Sequence, residues 1–251
     1  MRKTTGFFLL FTALTVGLAQ QTPNPQSVFR SAVASLNAGN VGSVQMSGVL
    51  ELPSGTSIDS GSFSAQCSIS GTSQLQMQSS SGSQTENRQM TSGVATGNWI
   101  DSQGAAHPMA NQNVQTSSAW FCPQIALTEI LQSNTFAILF VGNETRNGNA
   151  TLHYSVVSLS SNNPSPLSSS ADMAQTEVYL DATTLQPVAF DFNIHPDDNA
   201  SVNIPVEIQF SGYANSGGVT VPGTVAKYIN GSLVLTMQVT SAASTSLGTS
   251  N

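Results

Sequence analysis

Histidines, cysteines and a short run of carboxylates are the residues of this chain that could carry chemistry. The densest grouping is "IHPDDN", in which His195 stands close to Asp197 and Asp198. Imidazole and carboxylates can together ligate a divalent ion. Three such ligands around Pro196 match no established spacing, however, and the same residue types make an ordinary polar turn between two strands. The turn is the reading adopted, and no metal is assigned. Serine is abundant, which makes a hydrolase the enzymatic alternative. No G-x-S-x-G elbow occurs, and S-x-x-K fails because Thr224 stands three residues before Lys227. Nothing singles out His107, His153 or His195 as a general base. No catalytic residue and no cofactor is therefore assigned, and a hydrolase without a recognisable motif is all that is left of that alternative.

Cys67 and Cys122 lack C-x-x-C spacing and do not read as a redox pair. In an oxidising compartment an even pair is most simply a disulfide, and closing a loop of that length stabilises a fold by about 4 kcal/mol in the chain-entropy model. Two separate buried thiols are the alternative, because spacing does not show whether the Cα atoms approach.

The compartment is read from "MRKTTGFFLLFTALTVGLAQ". Arg2 and Lys3 precede an apolar run from Gly6 to about Leu18, and Gly17 and Ala19 supply small residues for a signal peptidase. Residues 1–19 are therefore expected to be a signal peptide cleaved after Ala19, leaving an exported protein, periplasmic or secreted. An uncleaved anchor is the rival, but the run falls short of the ~20 apolar residues that a spanning helix needs. No cysteine at the cleavage site points to lipid modification.

Beyond Ala19 the chain keeps four basic residues, Arg30, Arg88, Arg146 and Lys227, against all thirteen acidic ones, a formal charge of −9. So few cations argue against nucleic-acid binding and against docking on an anionic membrane by charge, so membrane contact is expected to be transient. Only 8% of residues are charged, against ~25% in ordinary soluble domains. With 39% hydrophobic residues the chain is not built for disorder; Ser, Thr, Asn and Gln form its surface instead. Four N-x-S/T sequons, at Asn143, Asn149, Asn199 and Asn230, are unremarkable in such a composition. Oligomeric state is not readable.

Several elements must position these residues. "PQSVFRSAVASLNAG" places Val28, Phe29, Ala32, Val33 and Leu36 on one helical stripe, and "AWFCPQIALTEILQS" reads as a second helix with Pro123 in its first turn. Trp120 and Phe121, just before it, fit packing rather than a ligand-contacting lip. "VGSVQMSGVLEL", "GSFSAQCSIS" and "SQLQMQSS" alternate as strands. Residues 78–118 are too polar to assign and read as short edge strands or as a long mobile loop. "TFAILFVGNE" and "ATLHYSVVSL" form a hairpin, and 160–170 is a Ser/Pro-rich loop. From 175 the alternation is clean: Phe190, Phe192 and Ile194, then Val206, Ile208 and Phe210, then Leu233, Leu235 and Met237. Asn230–Gly231 marks a tight hairpin turn. The result is an antiparallel meander with one apolar face that must be covered.

"VYLDATTLQPVAFDF" and "IQFSGYANSGGVTVPGTVAKYINGSLVLTMQV" together resemble the C-terminal sheet of the LolA-like superfamily of periplasmic lipoprotein and lipid carriers, best over residues 175–240. The resemblance implies an α+β, mainly β fold: a curved antiparallel sheet, or half-open barrel, covered by two or more helices. One domain spanning 20–241 and a disordered tail at 242–251 are expected. It further implies a carrier or binding protein for a lipid, a lipoprotein acyl chain or another apolar ligand, held on the apolar sheet face at Phe190, Phe192, Ile194, Val206, Ile208, Phe210, Leu233, Leu235 and Met237. An envelope or secreted interaction module, its sheet fully packed and without ligand, is the alternative.

Overall fold

The computed structural model describes residues 24–91, 94–116, 119–133, 135–159, 175–196 and 199–247. The signal peptide, its cleavage site, the 160–170 loop and Asp197–Asp198 lie outside the described residues. Helix α1 (Pro25–Ser35) starts where the Asn24 side chain accepts hydrogen bonds from the backbone of Gln26 and Ser27, with Pro25 fixing the first turn. Its apolar stripe buries Val28, Phe29, Ala32 and Val33.

Strands β1 (Val41–Ser54), β2 (Ser57–Ser68), β3 (Thr72–Ser79), β4 (Gly82–Thr91), β5 (Val94–Ile100) and β6 (Ala106–Pro108) run outward as one antiparallel meander. The polar stretch at 78–118 is thus mostly strand. Helices α2 (Asn111–Thr116) and α3 (Pro123–Gln132) follow. A second meander then comprises β7 (Phe136–Arg146), β8 (Asn149–Ser158), β9 (Gln175–Asp181), β10 (Pro187–Ile194), β11 (Ile204–Ser211), β14 (Thr224–Ile229) and β15 (Ser232–Ser246). Between β11 and β14 a small two-stranded hairpin, β12 (Ala214–Ser216) with β13 (Val219–Val221), stands apart. "GVTVPGTVAKYI" therefore contributes to two sheets, not one strand.

All thirteen long-sheet strands are ordered β6-β5-β4-β3-β2-β1-β15-β14-β11-β10-β9-β8-β7. The first and last strands pair in the middle, and β6 and β7 form the unjoined edges, so the curved sheet stays open. The chain must cross from one edge to the other between β6 and β7, and that crossing carries α2 and α3. The topology itself therefore supplies the cover for the apolar face. β15 continues to Ser246 and pairs with β1 through Val41↔Ser246. Residues 242–246 are ordered strand rather than tail, because β1 offers them a full ladder of backbone partners.

The β1–β15 ladder shifts register between Ser47 and Gly48. A Cβ at Gly48 would lie 1.9 Å from the Gln238 carbonyl oxygen, so only glycine permits this approach. Asn230 and Gly231, at φ 50° and 74°, form the expected tight turn between β14 and β15, and Asn147 and Gly148 do the same between β7 and β8.

The core lies between the inner sheet face and helices α1 and α3. Phe29, Leu36, Phe121, Ile125 and Leu127 meet Val44, Leu50, Leu75, Tyr154, Leu180, Ile208 and Met237 in one cluster. Cys67 on β2 is bonded to Cys122 at the start of α3, with the Cα atoms 6.5 Å apart, which staples the helical cover to the sheet. Such a bond suits an oxidising compartment, in keeping with export. No helix among the described residues is long and apolar enough to cross a membrane.

Candidate ligand cavity

Among the described residues the cover leaves a gap beside helix α2. A cavity of about 450 Å³ opens under the inner face, between the β3–β5 side of the sheet and the β10–β14 side. Met77, Trp99, Ile100 and Met109 form one apolar wall and Phe192, Ile194 and Ile229 the other. Helix α2 bridges the gap, in contact with both β5 and β10. Asn113 on this short helix acts as a clamp. Its amide donates to the His195 carbonyl and accepts from the His195 N–H, both at 2.8 Å. Arg88 Nη1 donates to the Asn113 carbonyl at 2.8 Å, so one residue fastens both sides.

Three charges stand on the cavity wall: Glu86, Arg88 and Lys227. Register explains how they come to face inward. Glu86 pairs with Leu75 and Arg88 with Ser73, both buried, while Lys227 lies between Ile208 and Leu235. Arg88 Nε donates to Glu86 Oε1 at 2.7 Å, and Trp120 Nε1 donates to the same oxygen at 3.0 Å. Burial pushes the Glu86 carboxyl up, but the charges of Arg88 and Lys227 and the two hydrogen bonds outweigh it and hold its pKa at about 2. The Lys227 ammonium sits 4.4 Å over the Trp120 ring. Burial draws its pKa below the ordinary lysine value, with Glu86 opposing the shift and Arg88 adding to it.

Of the nine sheet residues expected to hold a ligand, Phe192 and Ile194 line this cavity. Phe190, Val206, Ile208, Phe210, Leu235 and Met237 are buried in the core and do not line this cavity; Val206 borders a separate groove of about 310 Å³ beside Arg146, Asp191 and Glu207. Phe190 and Phe210 pack edge to face with ring centroids 5.0 Å apart. Leu233 is 37% exposed, because the β14–β15 ladder shifts register between Lys227 and Tyr228 and takes Leu233 out of step with Leu235. Trp120 is buried as expected of packing, yet it also floors the charged cluster. The alternation missed the Met77, Trp99 and Met109 wall. The available signal was charge in the wrong register: Lys227 falls midway between the buried Val225 and the inward Ile229.

The histidines lie far apart in role. His195 is buried, with Nδ1 3.1 Å from the Val202 carbonyl oxygen, so it anchors its loop. His107 stacks on Trp99 at 4.1 Å, with Nε2 3.0 Å from Asp101 Oδ2. His153 is held between Glu144 and Glu177. None is hydrogen-bonded to a serine, and no three His, Cys, Asp or Glu side chains converge on a metal position among the described residues. A second groove, of about 500 Å³, is lined by Gln66, Gln74, Asn87 and Asn98. Its amides largely satisfy one another, Gln74 to Asn87 at 2.8 Å and Asn87 to Asn98 at 3.0 Å.

No protein-family model matches the sequence, and no curated protein does so either. Solved structures do match in fold. An outer membrane lipoprotein-sorting protein domain, so named, from Vibrio parahaemolyticus superposes with a TM-score of 0.54 at 9% identity over 90% of this chain and 94% of that one. A LolA superfamily protein from Nitrosomonas europaea gives a TM-score of 0.52 at 8% identity over 90% and 96%. The fold is LolA-like. A DUF1329 family protein from Desulfovibrio piger also superposes, with a TM-score of 0.53 at 10% identity over 89% and 94%. The half-open sheet expected from residues 175–240 thus extends over nearly the whole chain.

Proposed function

We propose that this protein is an exported carrier that shelters the apolar part of a lipid or of an acylated protein in the cavity between Trp99 and Phe192. The observation that carries this reading is the cavity itself: about 450 Å³, apolar on two walls and open at the rim. That volume lies within the range of small-molecule sites. A fully packed sheet, as an interaction module would have, leaves no such space. The LolA-like fold supports the same reading, since one structural neighbour is named for lipoprotein sorting. Binding would draw on burial of alkyl surface at ~0.8 kcal/mol per CH₂ and release would follow by exchange to a membrane or partner.

Native mass spectrometry of the protein purified without detergent tests this. A discrete added mass that extracts into organic solvent is expected, together with uptake of a neutral fluorescent apolar probe. Ile229→Trp, which projects bulk into the cavity, is expected to weaken that uptake by about tenfold, the equivalent of two methylenes left unburied. A clean apo mass with no uptake of the probe would leave the fold and remove the function.

A further inference from the structure

The cavity has two apolar walls but is not electrically neutral. Arg88 and Glu86 are paired at 2.7 Å, and Arg88 also donates to Asn113, so their opposite charges largely cancel. Lys227 has no carboxylate within ion-pair distance and no hydrogen bond among the described residues; its ammonium lies over the Trp120 ring. Lys227 is half-buried, and a lysine partly withdrawn from water carries a desolvation cost that an anionic partner would offset. β14 delivers it into a row that otherwise carries Val225 and Ile229, where an apolar residue would pack without that cost. It is also the only lysine after the first nineteen residues. The cavity bordering its ammonium is where a partner has room.

We infer that the cavity is built for an anionic amphiphile, a single-chain lipid whose carboxylate or phosphate is received by Lys227 while its chain lies against Met77, Trp99, Phe192 and Ile229. The inference rests on the carrier reading and adds a headgroup class to it. An anionic oxygen would give the ammonium the charge-assisted hydrogen bonds it lacks, in a site where water competes weakly. Glu86 sharpens the choice. Its ionised carboxylate repels an anion that strays from Lys227 towards Arg88, so one headgroup position is favoured. A neutral alcohol of the same chain length would bury the same alkyl surface without answering the charge.

The test is displacement of a neutral fluorescent apolar probe from the full protein by dodecanoic acid, dodecyl phosphate and dodecanol. The wild type is expected to prefer at least one of the two anions over the alcohol by about tenfold or more, the scale of a charge-assisted bond in a sheltered site; comparing the two anions tells carboxylate from phosphate. Lys227→Met is expected to bring the ratio of the preferred anion to the alcohol close to one by loss of anion affinity. Lys227→Arg should keep the preference. Arg30→Met, which removes one positive charge from the exposed face of α1, should leave the ratio unchanged and so excludes a global charge effect. If Lys227→Met does not fold, Lys227→Gln serves in its place. Equal displacement by both anions and the alcohol in the wild type, or a preference that survives loss of the lysine, overturns the headgroup assignment and leaves the carrier. Absence of any probe binding overturns both.

Discussion

Two clusters of charge in this molecule, each built around an arginine, a carboxylate and an aromatic ring, are opposites in completeness. On the outer face, Arg146 lies 2.5 Å from Asp191 and 3.1 Å from Glu207, and its guanidinium covers the Tyr179 ring at 4.8 Å. Next to it His153 stacks on Tyr179 and is gripped by Glu144 and Glu177. Here cations are surrounded by anions. On the inner face the balance reverses: two cations share one carboxylate, and the lysine is left with an aromatic ring. Burial pushes Asp191 up to about 6, eased by Arg146 and reinforced by Glu207, so the outer cluster has carboxylate to spare. A network with too much negative charge at the rim holds a strand pair together. One with a surplus half-buried cation beside a void has room for a counter-ion. The difference teaches which cluster to read as structure and which as site.

Substitutions separate the two. Arg146→Met should have the largest effect, lowering stability by about 2–3 kcal/mol in urea denaturation at pH 7, because Asp191 and Glu207 are left facing each other without a cation; partial exposure keeps the loss below that of a fully buried pair. Glu86→Gln should cost about 1–2 kcal/mol at pH 7, the scale of hydrogen bonds to a charged acceptor. Its pH dependence has a definite sign. The Glu86 pKa falls from 4.5 to about 2 on folding, so its contribution is complete above 4.5 and disappears as the pH drops towards 2. Wild-type and variant stability curves should therefore converge through that window. Lys227→Met should have the smallest effect on the unliganded protein, within about 1 kcal/mol and in the direction of greater stability, since a half-buried charge is exchanged for a thioether of similar length. A loss as large as that for Arg146→Met would make the lysine structural and erase the contrast.

The sequence exposed these regions unequally. Asn230–Gly231 and the alternation at Phe190/Phe192 and Val206/Ile208/Phe210 are local signals, and all five side chains turn inward as read. Residues 78–118 gave no alternation because their strands are polar on one face and line a cavity on the other. What holds them is the ladder from Gln74 through Asn87 to Asn98, a chain of cross-strand amides that no single strand shows. The cavity was illegible for a related reason. Its walls come from β3, β5 and the stretch before α2 on one side and β10 and β14 on the other, brought together only when the chain crosses from edge to edge. Most residues chosen from alternation proved to be core, since alternation reports which face is inward and not whether that face is covered.

The pairing of β1 with β15 fixes the order in which this molecule can be completed. Each meander can zip from its own turns, strand by strand, soon after it emerges. The central seam cannot, because Val41 waits for Ser246, the last residue of β15. Until then β1 presents a long unpaired edge and the two halves of the sheet are separate bodies, a state exposed to mispairing with other chains. Closure over that sequence distance is a slow step in topologies of this kind. Loss of the last ten residues should thus cost more than their own contacts, since it unpairs β1 from Val41 to Met46 and shortens the seam that makes two half-sheets into a single molecule.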